Sequence, residues 1–184
     1  METFTEWFDF IGAVGTLLGL VGIAIYAPAL FVDRGRFFRN VRRIVARFRF
    51  LAGFVLSLSA LLATLVYSQF IGYAPCELCW LQRIALYPQV VVFGVALIQR
   101  ELREYFVPLI LSLAGVLFAL IHIYIQVTDD LVFCAPGEVA CSTVYVTEFG
   151  FITLPVMALI LFVLLGLIAL GGLLERRAGS GRDR

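Results

Sequence analysis

Cys76 and Cys79 stand in a Cys-x-x-Cys spacing within the run Tyr-Ala-Pro-Cys-Glu-Leu-Cys-Trp-Leu-Gln-Arg-Ile-Ala-Leu-Tyr-Pro, which extends from Tyr73 to Pro88. Two intervening residues let the sulfurs close a small ring, and a helix N-terminus stabilises a thiolate, so this spacing at a helix start suits redox chemistry. Pro75 precedes the motif and marks the helix start, which puts Cys79 in the first turn. Arg83, four residues on, then shares a face with Cys79 and is a fixed cation that would hold it as the reactive anion. A second pair, Cys134 and Cys141, brackets a gap of six residues that contains the turn signal Pro136-Gly137. By itself the Cys-x-x-Cys supports redox or metal chemistry about equally.

The elements that position these sulfurs are membrane spans. The chain has 184 residues, 62% of them hydrophobic, and a mean hydropathy of +1.00, which excludes an ordinary soluble domain. Four apolar stretches are long enough to cross a hydrocarbon core of ~30 Å, and a fifth, more interrupted one is close to it. They lie near 10–32, 50–71, 80–98, 107–127 and 149–172. The expected fold is an all-α integral membrane protein.

Arginine counting orients the spans. All fourteen basic residues are Arg. Seven lie in 33–49, two in 99–105 and four after Leu174, which places those segments in the cytoplasm and the N-terminus outside. Arg83 alone falls on the outer side. Both cysteine pairs then sit in outer loops, on the oxidising side of the membrane.

The remaining segments read as follows. Phe10–Val32 is retained as a span rather than cleaved as a signal peptide, because it lacks a basic n-region and is too long for an h-region, despite Ala27-Pro28-Ala29. Gly15 and Gly19 are spaced for close helix packing. Arg34–Arg49 alternates Arg with Phe37, Val41, Ile44 and Phe48 at helical intervals, as in a basic amphipathic helix on the cytoplasmic surface; nucleic-acid binding is the disfavoured alternative. Pro108 falls in the first turn of the fourth span, and Glu175–Arg184 reads as a disordered tail. The resulting division is 1–49, a first span with the Arg-rich helix; 50–174, four further spans that carry all four cysteines; and 175–184, a cytoplasmic tail.

Depth supplies a possible acceptor. Arg83 lies ~6 Å inward from Cys79, and His122, the one histidine, lies ~8 Å inward from the outer end of its span. A cation and an imidazole in one outer-leaflet layer suit hydrogen bonding to the carbonyl oxygens of a lipid-soluble quinone. A hydrogen bond between His122 and a neighbouring helix is an equal alternative.

The run from Pro75 to Ile84 with Tyr87-Pro88 closely resembles the first catalytic loop of the DsbB/BdbC disulfide-bond-formation proteins. His122 with Gln126, ahead of Cys134, looks like the corresponding helix end in that family, and the second cysteine pair followed by Phe-Gly-Phe-Ile-Thr-Leu-Pro at 149–155 resembles its BdbC-type members. The resemblance covers about residues 50–172, and it implies that 50–174 form a catalytic four-helix transmembrane bundle to which the N-terminal span and its Arg-rich helix are extra. It implies a thiol oxidase of a prokaryotic cytoplasmic membrane, passing electrons from a DsbA-like thioredoxin-fold partner to ubiquinone or menaquinone. By motif position, Cys134 would form the mixed disulfide with the partner, with Cys141 as its loop mate. Cys76 would exchange with that pair, and Cys79 would donate to a quinone held by Arg83, His122, Gln82 and Gln126. Residues 1–49 fall outside the resemblance, and the short 134–141 gap departs from the long second loop of enterobacterial members.

Rival readings are two static disulfides, a four-cysteine zinc site, a vitamin K epoxide reductase-like enzyme, and a membrane scaffold or small transporter. Structural bridges do not require a cation one turn after a helix-start Cys-x-x-Cys. Thiols on the oxidising face near a quinone pool tend to be oxidised, so no metal is expected. The reductase-like enzymes carry their loop pair before the Cys-x-x-Cys, and here it follows. A scaffold offers no account of four outward sulfurs.

Overall fold

A backbone in hydrocarbon has no water to bond, so each span must satisfy its own amides, and helices result. The computed structural model describes residues 2–31, 35–99, 105–128 and 141–180. It contains five helices: α1 (Glu2–Phe31), α2 (Arg36–Leu65), α3 (Glu77–Gln99), α4 (Phe106–Thr128) and α5 (Leu154–Ser180). All five are long and apolar enough to cross a membrane. The protein is an all-helical, multi-pass membrane protein.

Helices α2, α3, α4 and α5 form a ring in which each packs on the next and α5 returns to α2. α1 lies against α2 and α5, outside that ring. The ring's core gathers Ala85, Leu86 and Phe93 from α3 with Phe162, Leu165 and Ile168 from α5. Lipid is as apolar as these side chains, so close fit rather than exclusion from water holds the helices together. Gly53 of α2 accommodates the Phe93 ring and Gly115 of α4 accommodates Phe162; a Cβ at either position would overlap the ring. Between α3 and α4, Ser112 Oγ donates to Gln89 Oε1 at 3.1 Å, and Gln89 Nε2 donates to the Ala85 carbonyl at 3.0 Å. Polar atoms thus point inward, while Ile84, Ile98 and Val127 face out. Of the two spaced glycines in α1, Gly19 packs closely on Ile160 and Leu164 of α5, whereas Gly15 meets nothing within 4 Å.

Three features correct the sequence expectations. The Arg-rich segment is not a separate surface helix: α2 runs unbroken from Arg36 to Leu65, across the expected boundary at 49/50. No Gly or Pro lies between Arg36 and Ala52, so nothing interrupts the hydrogen-bond ladder where the composition changes. The tail expected to be disordered from Glu175 is helical to Ser180. Glu175 pairs with Arg49 of α2, which also reaches Tyr105 Oη at 3.4 Å, so the last turns of α5 are tied to the bundle. Residues 181–184 of that tail lie outside the described residues. Finally, α5 begins at Leu154 rather than near Phe149. Phe149 and Gly150, with φ of 52° and 79°, reverse the chain into a bridge between Glu148 and Ile152, and Pro155 then sits in the first helical turn.

Candidate active site

The site forms where α2 ends and α3 begins. α2 closes with a π-helical turn, Val66–Phe70, a feature frequent at functional positions. Gly72, at φ 86°, then redirects the chain toward Pro75 and Cys76. Cys76 immediately precedes α3: its carbonyl accepts from Trp80 N at 3.2 Å, and its Sγ accepts from the Cys79 amide at 3.4 Å. The sulfur therefore stands in for a capping oxygen at the positive end of the helix. Cys79 is in the first turn, as expected, but the helix terminus is directed at Cys76.

The two sulfurs are 2.9 Å apart, and both cysteines are free thiols. Cys76 Sγ lies 3.8 Å from His122 Nε2 of α4, while His122 Nδ1 lies 3.4 Å from Gln82 Nε2 of α3. An amide nitrogen can only donate, so Nδ1 accepts and Nε2 carries the proton toward sulfur. The hydrogen bond from Cys79, and after it that from His122, hold the Cys76 thiol well below its ordinary range, against the opposing effect of burial.

Arg83 is buried and its Nη2 donates to the Thr64 carbonyl at 2.9 Å, while its guanidinium lies 5.2 Å from the centre of the Trp80 ring. Thr64 O also accepts from Ser68 Oγ at 2.9 Å, just before the π turn. Arg83 thus ties α3 to the end of α2, with further donors in its five N–H fork. Gln126 Oε1 accepts from Thr153 Oγ1 at 3.1 Å, which joins α4 to the entry of α5.

Cys76, Cys79, His122, Gln126 and Cys141 line one cavity of about 30 Å³, together with Ala74 and Tyr145. That holds about two water molecules and no ring. Cys141 is buried and disulfide-bonded. Cys134 lies outside the described residues. Of the eight residues singled out by sequence, the structure brings Cys76, Cys79, Cys141, His122, Gln82 and Gln126 around one point and places Arg83 on the adjoining side of α3.

Cys76, Cys79 and His122 also offer three ligand atoms within 4.8 Å of one another, a Cys₂His set rather than the four-cysteine set considered from sequence. A tetrahedral zinc ion would hold two thiolates roughly 3.7 Å apart, from Zn–S bonds of about 2.3 Å. The 2.9 Å approach fits a dithiol about to bridge better.

Residues 46–171 match the family model described as "Disulfide bond formation protein DsbB". The chain belongs to the DsbB family. Among curated DsbB-like relatives, the "Probable disulfide formation protein" of Oceanobacillus iheyensis is 40% identical over 112 residues, covering 57% of this chain and 77% of that protein. The Bacillus subtilis "SPbeta prophage-derived disulfide bond formation protein B" is 38% identical over 117 residues, 63% and 79% of the two chains. "Disulfide bond formation protein C" of the same organism is 38% identical over 118 residues, 62% and 84%. No solved structure matches the chain. The DsbB match takes in the site and most of the ring, and leaves out α1, the Arg-rich start of α2 and the end of α5 after residue 171. Sequence reasoning missed the partners that hold this DsbB-type site in place: Thr64, Trp80, Tyr145 and Thr153. Trp80 and Thr153 lie inside the quoted runs, which name no partner for them, and Thr64, Tyr145 and Thr153 act by contacts between helices or loops distant in sequence.

Proposed function

We propose that this membrane protein of the disulfide-forming family is a thiol:quinone oxidoreductase that reoxidises a thioredoxin-fold partner on the outer side of the membrane. The observation that carries the reading is the meeting of Cys76, Cys79 and Cys141 at one cavity, with the first two sulfurs 2.9 Å apart. Overall, a partner dithiol loses two electrons and two protons and becomes a disulfide, and a quinone becomes the quinol. Within the chain, one partner thiolate attacks the Cys134–Cys141 disulfide to form a mixed disulfide with Cys134, and the partner's second thiolate displaces Cys134, leaving a partner disulfide and a loop dithiol. Cys141 then attacks Cys76 of a Cys76–Cys79 disulfide with Cys79 leaving as a thiolate, and Cys134 attacks Cys141 to re-form the loop disulfide and displace Cys76. Cys76 leaves as a thiolate, supported by the Cys79 amide, the start of α3 and His122. Cys79 then passes the pair of electrons onward and the Cys76–Cys79 bridge re-forms.

A quinone bound here supplies the two-electron acceptor. The donors that would meet its carbonyl oxygens are the guanidinium of Arg83, one turn after Cys79 on α3, and the amides of Gln82, beside His122, and Gln126, at the cavity that Cys79 lines. The cavity is too small for its ring, so the head group would rest on the lipid-facing flank beside Cys79, where Trp80 is half exposed. The arginine distribution supports cytoplasmic ends for α1, α2 and α5 opposite the thiols.

The test is to supply purified protein with a reduced thioredoxin-fold protein and a soluble quinone, and to follow quinone absorbance. Wild type is expected to reduce quinone and Cys79→Ser to fail. Equal rates in the two proteins would refute the scheme.

A further inference from the structure

α1 lies outside the family match, yet it touches the redox loop through a continuous series of contacts. Asp9, a carboxyl within a membrane-spanning helix and only 8% exposed, accepts a hydrogen bond from Tyr67 Oη at 2.9 Å. A buried carboxyl needs a hydrogen-bonding partner, and Tyr67 supplies one. Tyr67 belongs to the π-helical turn that ends α2 and is itself 8% exposed; Phe8 of α1 meets its ring edge-on at 5.1 Å. From Tyr67 the contacts run on toward the site. Its carbonyl accepts from Tyr73 N at 2.9 Å, and its ring is stacked on Tyr73 at 5.9 Å and 11°. Tyr73 stacks in turn on Tyr145 at 4.6 Å and 15°, and Tyr145 Oη donates to the Ala74 carbonyl at 3.4 Å. Ala74 and Tyr145 line the cavity that holds Cys76 and Cys79.

We propose that Asp9 is a positioning residue for the redox pair: through Tyr67 it fixes the π turn and the Tyr73–Tyr145 wall that shields Cys76. The tyrosines form a wall with one fixed end. Stacked rings can slide over one another at little cost, whereas a buried hydroxyl bonded to a carboxylate has one geometry. The bond to α1 therefore sets where the wall stands, and with it how well Cys76, 4% exposed, is kept from reagents other than its own loop pair. On this account α1 is part of the site although it contributes no reacting atom. The inference rests on Cys76–Cys79 being the working pair of the proposed function.

The experiment uses the full-length reduced protein in detergent or nanodiscs and compares Asp9→Ala, Asp9→Asn, Tyr67→Phe and the Asp9→Ala/Tyr67→Phe double variant. The readout is the rate at which Cys76 is alkylated by a small maleimide, located by mass spectrometry, alongside thermal unfolding. Asp9→Ala and Tyr67→Phe are expected to raise the Cys76 rate by about fivefold or more, as for a lost buried hydrogen bond. Asn still accepts from the hydroxyl, so Asp9→Asn is expected to stay near wild type, and the double variant to be no faster than the faster single one. Tyr67→Phe removes one hydroxyl and keeps the ring, so it decides the matter if Asp9→Ala does not fold. Unchanged Cys76 rates in Tyr67→Phe, or a loss of thermal stability without a change in rate, would overturn the proposal. Because alkylation needs no quinone, a failure of wild type to reduce quinone would strike the proposed function and leave this comparison to be read separately.

Discussion

Cys76 and His122, 46 residues apart in the chain, meet across 3.8 Å, with the imidazole Nε2–H directed at the sulfur by the Gln82 amide on its other side. That arrangement gives His122 a role at the thiol itself as well as any it has toward an acceptor. The thiolate is the reactive form, and a lowered thiol pKa means that it persists as pH falls below the ordinary thiol range and is lost only lower down. In His122→Ala the Cys76 transition is expected to move upward by about one pH unit, the size of one hydrogen bond to a charged group. Thiolate ultraviolet absorbance of the reduced protein against pH, with Cys76→Ser as the blank, measures it. An unmoved transition would remove His122 from the account.

Arg83 makes two different demands on its side chain: a directed N–H to the Thr64 carbonyl and a flat face near Trp80. Lysine keeps the charge and can satisfy neither in the same way. Arg83→Lys is therefore expected to raise the quinone KM by roughly tenfold, with a smaller change in the KM for the thiol partner. Steady-state kinetics with each substrate varied in turn separates the two.

Close packing of α4 on α5 depends on the absence of a side chain at Gly115, where Phe162 fills the space. Gly115→Leu is expected to cost about 1–3 kcal/mol or more of stability by overpacking. Gly15→Leu, on the open side of α1, is expected to be neutral. Thermal unfolding of the two variants in the same detergent provides the contrast, and equal melting would contradict the packing described.

Ser112 and Gln89 form the polar bond between α3 and α4. Ser112→Ala leaves the glutamine oxygen without that donor in a dry interior, and is expected to lower stability by about 1 kcal/mol. Measured in the same unfolding assay, a change in KM without a change in stability would show that the pair acts on the site instead.

The membrane fold was readable because lipid imposes long apolar runs: all five spans exist, and the third and fourth lie within three residues of where hydropathy places them. The redox motif was readable because its spacing is local: Cys76, Cys79, Gln82 and Arg83 occupy two turns of one helix. What composition could not show is backbone continuity. At Arg49–Phe50 the side chains change from basic to apolar while the hydrogen-bond ladder of α2 proceeds regardless. Nor could it show which thiol caps α3, since helix start and cap differ by a single residue. The links from Thr64 to Arg83, Thr153 to Gln126 and Asp9 to Tyr67 join positions 19 to 58 residues apart and leave no periodic trace.

α1 packs on α2 and α5, leaving α3 and α4 with their outer faces toward lipid: Trp80 and Ile84 on one, Leu117, Leu120 and Tyr124 on the other. Trp80, the residue after Cys79, lies on that flank. An added helix seated between α3 and α4 would have walled off lateral traffic between the bilayer and the thiols. Seated where it is, it packs on the opposite side of the ring and leaves the face of α3 and α4 open to lipid.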